Sequence, residues 1–187
     1  MNQSQKYDFF FKLPFYRHSI KPIDIENAEG VTIGTLQRTY NNLVDRVIDA
    51  VLDLANKKNF NIKLKDYPDY NLLAKSIKYK EQLLNQKWSI HITEKEKIKK
   101  IGMFVDKTKI STNPRFEYIK NDQLYFFKKA PFDKNIYVED KNNQLIAIVF
   151  YQQYTKMSNT YIQIQEESDL DRAELLLLAF IFTSNTD

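Results

Sequence analysis

The chain has 187 residues, 43% hydrophobic and 28% charged, which suits a single domain over residues 1–187, since compact domains hold roughly 100–200 residues. The absence of cysteine excludes disulfides, thiolate metal sites and cysteine nucleophiles. The net charge of +4 is uneven: residues 57–129 carry 18 Lys+Arg against 8 Asp+Glu, and residues 130–187 carry 4 against 9. A basic stretch of that size suits an anionic partner such as lipid, nucleic acid or an acidic protein, although lysines spaced along strands commonly do no more than solvate an outer face. The opening MNQSQKYDFF has no basic flank followed by an apolar run, and Asn2 follows Met1, so neither a signal peptide nor myristoylation is expected and a cytoplasmic protein is.

In chain order, Tyr7–Leu13 reads as a strand, rich in aromatic residues. From Ile23 the segment IDIENAEGVTIGTL alternates apolar and polar residues on both sides of a polar turn, the pattern of an antiparallel hairpin with one face buried. A helix is expected at about Asn41–Asn56, with Leu43, Val44, Val47, Ile48, Val51 and Leu52 on a face packed against a sheet and Asp45, Arg46, Asp49 and Asp53 on the other. Phe60–Lys65 reads as a strand, whereas Asn71–Gln86 fits either a helical turn or a strand.

The hairpin pattern returns at Ile90 as IHITEKEKIKKIGMF and at Ile136 as IYVEDKNNQLIAIVF. In all three copies a small residue, Gly34, Gly102 or Ala147, sits just inside the return strand, where it admits another backbone or a bulky side chain, or allows the sheet to bend. Phe116–Lys120 and Leu124–Lys129 read as strands joined by a tight turn at Asn121–Gln123, and Thr160–Gln165 as a further strand.

The last element is an apolar helix over Asp169–Phe182, opened by a capping-box-like Ser168 and Asp171, with Leu175–Phe182 apolar around the full circumference. Fourteen residues span roughly 21 Å, too short for a bilayer core of roughly 30 Å. A helix apolar on every side must be surrounded on every side, and fully burying seven large side chains contributes on the order of 10–20 kcal/mol before conformational entropy is subtracted. The expected fold class is therefore mainly β, an antiparallel barrel wrapped around its own hydrophobic C-terminal helix, with one additional amphipathic helix.

The DIENAEGVTIG hairpin, its echoes at Ile90 and Ile136, and the acidic start of the apolar helix DLDRAELLLLAFIF resemble the tubby-like superfamily, which includes the tubby C-terminal domain, the phospholipid scramblases and the LURP-one-related proteins. The resemblance implies a barrel of about a dozen strands around a hydrophobic helix, more than the roughly five or six strands of a mean sheet. It also implies phosphoinositide head groups as ligand, without assigning that role to any basic residue here, and the cysteine-rich and calcium-associated segments of scramblases are absent.

No catalytic constellation is present. His18 and His91 are far apart and in no metal-spaced motif; His91, between Ile90 and Ile92, is expected to face away from the core. Three glycines leave no phosphate-cradling loop, and helix capping accounts for Asp169, Asp171 and Glu174 more simply than a cation does. Neither enzyme activity, a cofactor nor a metal is expected. The aromatic and lysine mixture at Tyr125–Phe132 fits barrel packing better than base stacking, so nucleic acid is not the expected partner. The expected function is binding to an anionic surface, foremost phospholipid head groups, through Lys95, Lys97, Lys99, Lys100, Lys128 and Lys129, provided that they share one face. The alternative is a protein-interaction module or small-molecule carrier, which requires an exposed apolar patch or a cavity beside the C-terminal helix.

Overall fold

The computed structural model describes residues 6–16, 18–52, 58–67, 70–77, 86–94, 97–154, 157–166 and 168–186. Twelve antiparallel strands form a closed barrel. They are β1 (Phe9–Leu13), β2 (Ile23–Asn27), β3 (Thr32–Tyr40), β4 (Lys58–Leu64), β5 (Asn71–Ser76), β6 (Lys87–Glu94), β7 (Lys97–Asp106), β8 (Arg115–Lys120), β9 (Gln123–Lys129), β10 (Asn135–Asp140), β11 (Leu145–Tyr154) and β12 (Met157–Ile164). Each pairs with its neighbours in chain order, and β1 closes the cylinder on β12 through Phe9 opposite Ile162 and Leu13 opposite Ser158. Helix α1 (Leu43–Leu52) interrupts the meander between β3 and β4, and α2 (Arg172–Asn185) follows β12. The undecided segment is a strand over Asn71–Ser76; residues 78–85 lie outside the described residues.

The three sequence hairpins share one irregularity. Ile25 pairs with Gly34 and Glu26 with Thr32; Ile90 pairs with Gly102 and His91 with Lys100; Val138 pairs with Ala147 and Glu139 with Leu145. In each return strand an isoleucine beside the small residue, Ile33, Ile101 or Ile146, is the extra residue of a β-bulge. A bulge bends the strand and increases its twist, which is what a sheet needs to close. It also gives each isoleucine core contact, fully for Ile146 and partly for Ile33 and Ile101. The glycines additionally make room: a Cβ on Gly34 would lie 2.4 Å from the Lys63 carbonyl, and one on Gly102 would lie 2.6 Å from the Tyr118 ring.

Inside the barrel lies α2, buried continuously from Ala173 to Ser184. Phe180 meets Phe11 and Phe60 edge-on at 5.9 and 5.4 Å, and Phe182 meets Phe116 at 4.8 Å. The barrel is the solvent of this helix. The start of α2 differs from the expectation: its cap is Asp171, not Ser168, with the Asp171 carboxylate accepting from the Ala173 amide at 2.7 Å and Glu174 closing the capping box. A carboxylate beats a hydroxyl here because it also faces the positive helix end. The turn between β8 and β9 is made by Asn121 and Asp122 at φ 45° and 65°, left-handed values that these two residue types tolerate.

Candidate functional site: the two ends of the barrel

The strand directions sort the loops into two sets. One end of the barrel carries residues 14–22 between β1 and β2, α1, and the β7–β8 and β9–β10 connections. The other carries the β2–β3, β4–β5, β8–β9 and β10–β11 turns and the segment through which α2 begins.

At the first end α1 is inverted relative to the expectation from its sequence. Leu43, Val44, Val47 and Val51 are 72, 64, 54 and 74% exposed, whereas Asp45 and Asp49 are 3 and 0% exposed. Residues 53–56, which were also expected to be helical, lie outside the described residues. The reason is on the strands beneath. Arg38 of β3 and Lys58 of β4 are buried in the barrel wall, 4 and 3% exposed, and a buried cation without a carboxylate costs several kcal/mol. Asp49 sits 3.3 Å from the Lys58 ammonium, accepts from the Tyr40 hydroxyl at 2.6 Å, and lies 2.7 Å from Nδ1 of His18. Exposing an aliphatic side chain forgoes about 1.5–3 kcal/mol, whereas leaving the Lys58 ammonium buried without the Asp49 carboxylate costs several, and the helix turns its carboxylates inward. Burial pulls the Asp49 carboxyl upward, but the hydrogen bonds from Tyr40 and His18 and the Lys58 charge hold it below its ordinary value.

The same end exposes Phe15, Tyr16, Ile20, Ile110 and Phe132. Phe132 is fully exposed with φ 66°, a strained conformation for a bulky side chain. Around these apolar groups stand Lys21, Lys107, Lys109 and Lys134, all exposed. The described carboxylates of these loops are Asp45 and Asp49, buried, and Asp133, which accepts from the Tyr137 hydroxyl.

At the second end, Glu174 is 1% exposed and fully engaged. It accepts from the Tyr118 hydroxyl at 3.0 Å, from the Lys120 ammonium at 2.7 Å and from the Asp171 amide at 3.2 Å. Burial first, then the Glu174 charge, pushes the Tyr118 hydroxyl far above its ordinary value. Beside it opens a cleft of about 890 Å³ between the rim and the first turns of α2.

The sequence-predicted lysines do not form one patch. Lys97, Lys99 and Lys100 lie opposite Glu94, Ile92 and His91 on the β6–β7 hairpin, toward the second end. Lys128 and Lys129 lie toward the first, with Lys128 opposite Arg115. Met103, Ile119 and Leu124 are level across β7, β8 and β9, so Lys100 and Lys128 are about seven residues apart along the strands, roughly 23 Å at roughly 3.3 Å per residue. Lys128 is also engaged, 2.5 Å from Glu139 and 4.8 Å above the Phe126 ring. Lys95 lies outside the described residues.

Of the Tyr125–Phe132 segment, Tyr125 and Phe127 are core residues, 4 and 0% exposed, whereas Phe126 is half-buried beneath Lys128 and Phe132 is fully exposed, so core packing accounts for only part of its aromatics. His91 is half-buried, with Nε2 2.9 Å from the Ser89 hydroxyl. Among the described residues no group of three His, Asp or Glu is placed to hold a metal, and no helix is long and apolar enough to cross a membrane.

Comparison with known families places this architecture. The Tubby C-terminal like domain family matches residues 9–185. The chain belongs to that family. The match runs from the first residue of β1 to the last residue of α2, so the tubby-like domain here is the barrel together with its central helix. A second comparison aligns 124 residues, 64% of this chain, with Protein MLP2 of Saccharomyces cerevisiae at 27% identity; the chain spans only 7% of that protein's length. No solved structure matches the chain.

The inverted helix was missed because amphipathic periodicity identifies two faces without saying which faces the protein. The available signal was Arg38 and Lys58, cations at inward positions of strands, which demand carboxylates nearby.

Proposed function

We propose that this tubby-like domain is a non-enzymatic, cytoplasmic and peripherally membrane-associated protein that binds anionic phospholipid head groups through the end of the barrel bearing α1. The observation that carries the reading is the outward apolar face of α1, Leu43, Val44, Val47 and Val51, together with the exposed lysines around it. A surface helix holding its charges inward and its aliphatic groups outward supplies insertion into the head-group region, and each basic residue near an anionic bilayer adds about 1 kcal/mol. Lys128 and Lys129 approach this surface from β9. Lys97, Lys99 and Lys100, on the other end, play no part in it.

The test is co-sedimentation with neutral phosphatidylcholine vesicles and with vesicles containing phosphatidylserine or a phosphoinositide, for the unsubstituted chain, Val47→Asp and the triple variant Lys97→Ala, Lys99→Ala, Lys100→Ala. Salt-sensitive recovery with the anionic vesicles alone, lost in Val47→Asp and kept in the triple variant, is the expected result. Equal recovery with neutral and anionic vesicles, or full recovery of Val47→Asp, removes the reading.

A further inference from the structure

The cleft at the opposite end of the barrel has a different chemistry. Its floor is apolar: Phe9, Ile33, Leu64 and Leu176 line it. Its rim is acidic, with Asp66, Glu94, Glu166 and Asp171 against Arg172 among the described lining residues, and all five are exposed. Lys97 stands opposite Glu94 on the neighbouring strand. Two tyrosines, Tyr67 and Tyr70, line the cleft with ring centroids 6.3 Å apart and planes 59° to each other. Tyr67 is 62% exposed, so most of its ring is open to the cleft and solvent. Tyr70 is half-buried; burial first, then the charges of Asp171 and Glu174, pushes its hydroxyl well above the ordinary value, so the ring stays neutral.

Each feature has a structural origin. The bulge beside Gly34 presents Ile33 to the floor, and the corresponding bulge beside Ala147 presents Ile146. Asp171 lies on the rim because it caps α2, and Tyr70 lines the same cleft close enough to feel the Asp171 charge. The cleft is therefore bounded by the element that plugs the barrel and by the devices that close it.

We propose that this cleft binds an amphiphilic organic cation, its ammonium group held against the Tyr67 and Tyr70 rings and the Asp66 and Glu94 carboxylates, its apolar body on the floor beside α2. Aromatic faces attract ammonium groups through the ring quadrupole, most strongly where the ion is partly desolvated, and the carboxylates add charge complementarity. The volume lies within the roughly 300–1,000 Å³ usual for small-molecule sites. An anionic amphiphile of the same length meets the same floor but a repulsive rim. The site is independent of the membrane-binding end, and neither proposal requires the other.

The experiment titrates the full chain with octyltrimethylammonium and with octyl sulfate, by calorimetry and by NMR observation of the tyrosine ring resonances. Saturable binding of the cation with shifts at Tyr67 and Tyr70, no such shifts with octyl sulfate, and an affinity at least tenfold lower in Tyr67→Ala and in the double variant Asp66→Asn, Glu94→Gln are expected. These three residues are exposed, and urea unfolding of the variants checks that they remain folded. Val47→Asp retains full cation binding if the two ends are separate. Equal binding of both amphiphiles, affinity unchanged in the double variant, or binding lost in Val47→Asp overturns the proposal.

Discussion

Nδ1 of His18 lies 2.7 Å from a carboxylate oxygen of Asp49, a residue with no exposed surface on the inward side of a helix whose aliphatic side is in solvent. That contact, with those from Tyr40 and Lys58, holds α1 in its inverted orientation. Asp49→Asn removes the Asp49 charge from beside the buried Lys58 ammonium and is expected to destabilise the fold by about 3 kcal/mol, read as a lower urea midpoint at unchanged slope. A midpoint like that of the unsubstituted chain contradicts this account. The carboxyl is held below its unfolded value of about 3.9. Its contribution is therefore present above about pH 4 and is lost as acid protonates it; the Asn variant lacks this part of the acid sensitivity.

His91 titrates in the opposite chemical sense with the same consequence. Burial, with Lys75 and Lys100 nearby, depresses its pKa, so the unfolded chain binds the proton more readily. Stability from this source is complete above about pH 6.5 and falls as pH drops below it. His91→Gln should flatten the difference between denaturation midpoints at about pH 7.5 and about pH 5.5; an unaltered difference shows that His91 does not cause it.

Gly102 is a contact point of the barrel wall. A Cβ there would lie 2.6 Å from the Tyr118 ring and 2.7 Å from the Ile119 carbonyl, and since the carbonyl is backbone, β8 must move. Gly102→Ala is expected to lower stability by about 1–3 kcal/mol. Because Tyr118 also donates to Glu174, its ring signal in near-ultraviolet circular dichroism should change as well. Neutral substitution shows that β7 and β8 do not approach this closely.

Phe180 tests the plug. Edge contacts with Phe11 of β1 and Phe60 of β4 pack it against the wall, and Phe180→Ala should cost about 3–5 kcal/mol. A loss below about 1 kcal/mol in calorimetry is incompatible with a helix packed on every side.

Phe132 trades stability for surface. It is fully exposed at φ 66°, where a non-glycine residue costs roughly 1–2 kcal/mol, and asparagine tolerates that conformation better. Phe132→Asn should unfold at a higher urea concentration while binding anionic vesicles less well. Lower stability with unchanged vesicle binding speaks against both the strain and the role.

What lay in the sequence was periodic. Leu175–Phe182 is apolar at every angle of a helix, and a short segment of that kind has to be enclosed by protein; three hairpins with Gly34, Gly102 and Ala147 at equivalent places show where strands bend to build the enclosure. The functional surfaces lay outside that reach. Alternation places a residue on a face but leaves open which face is buried when both have a claim, and Asp49 reached Lys58 only because β3 and β4 bring their buried cations beneath α1. Lysines near in sequence went to opposite ends because antiparallel register, not sequence distance, sets position along a barrel. Local chemistry determined the elements; the competition between pairing buried charge and burying apolar surface, resolved only when the wall closed, decided which surfaces face solvent.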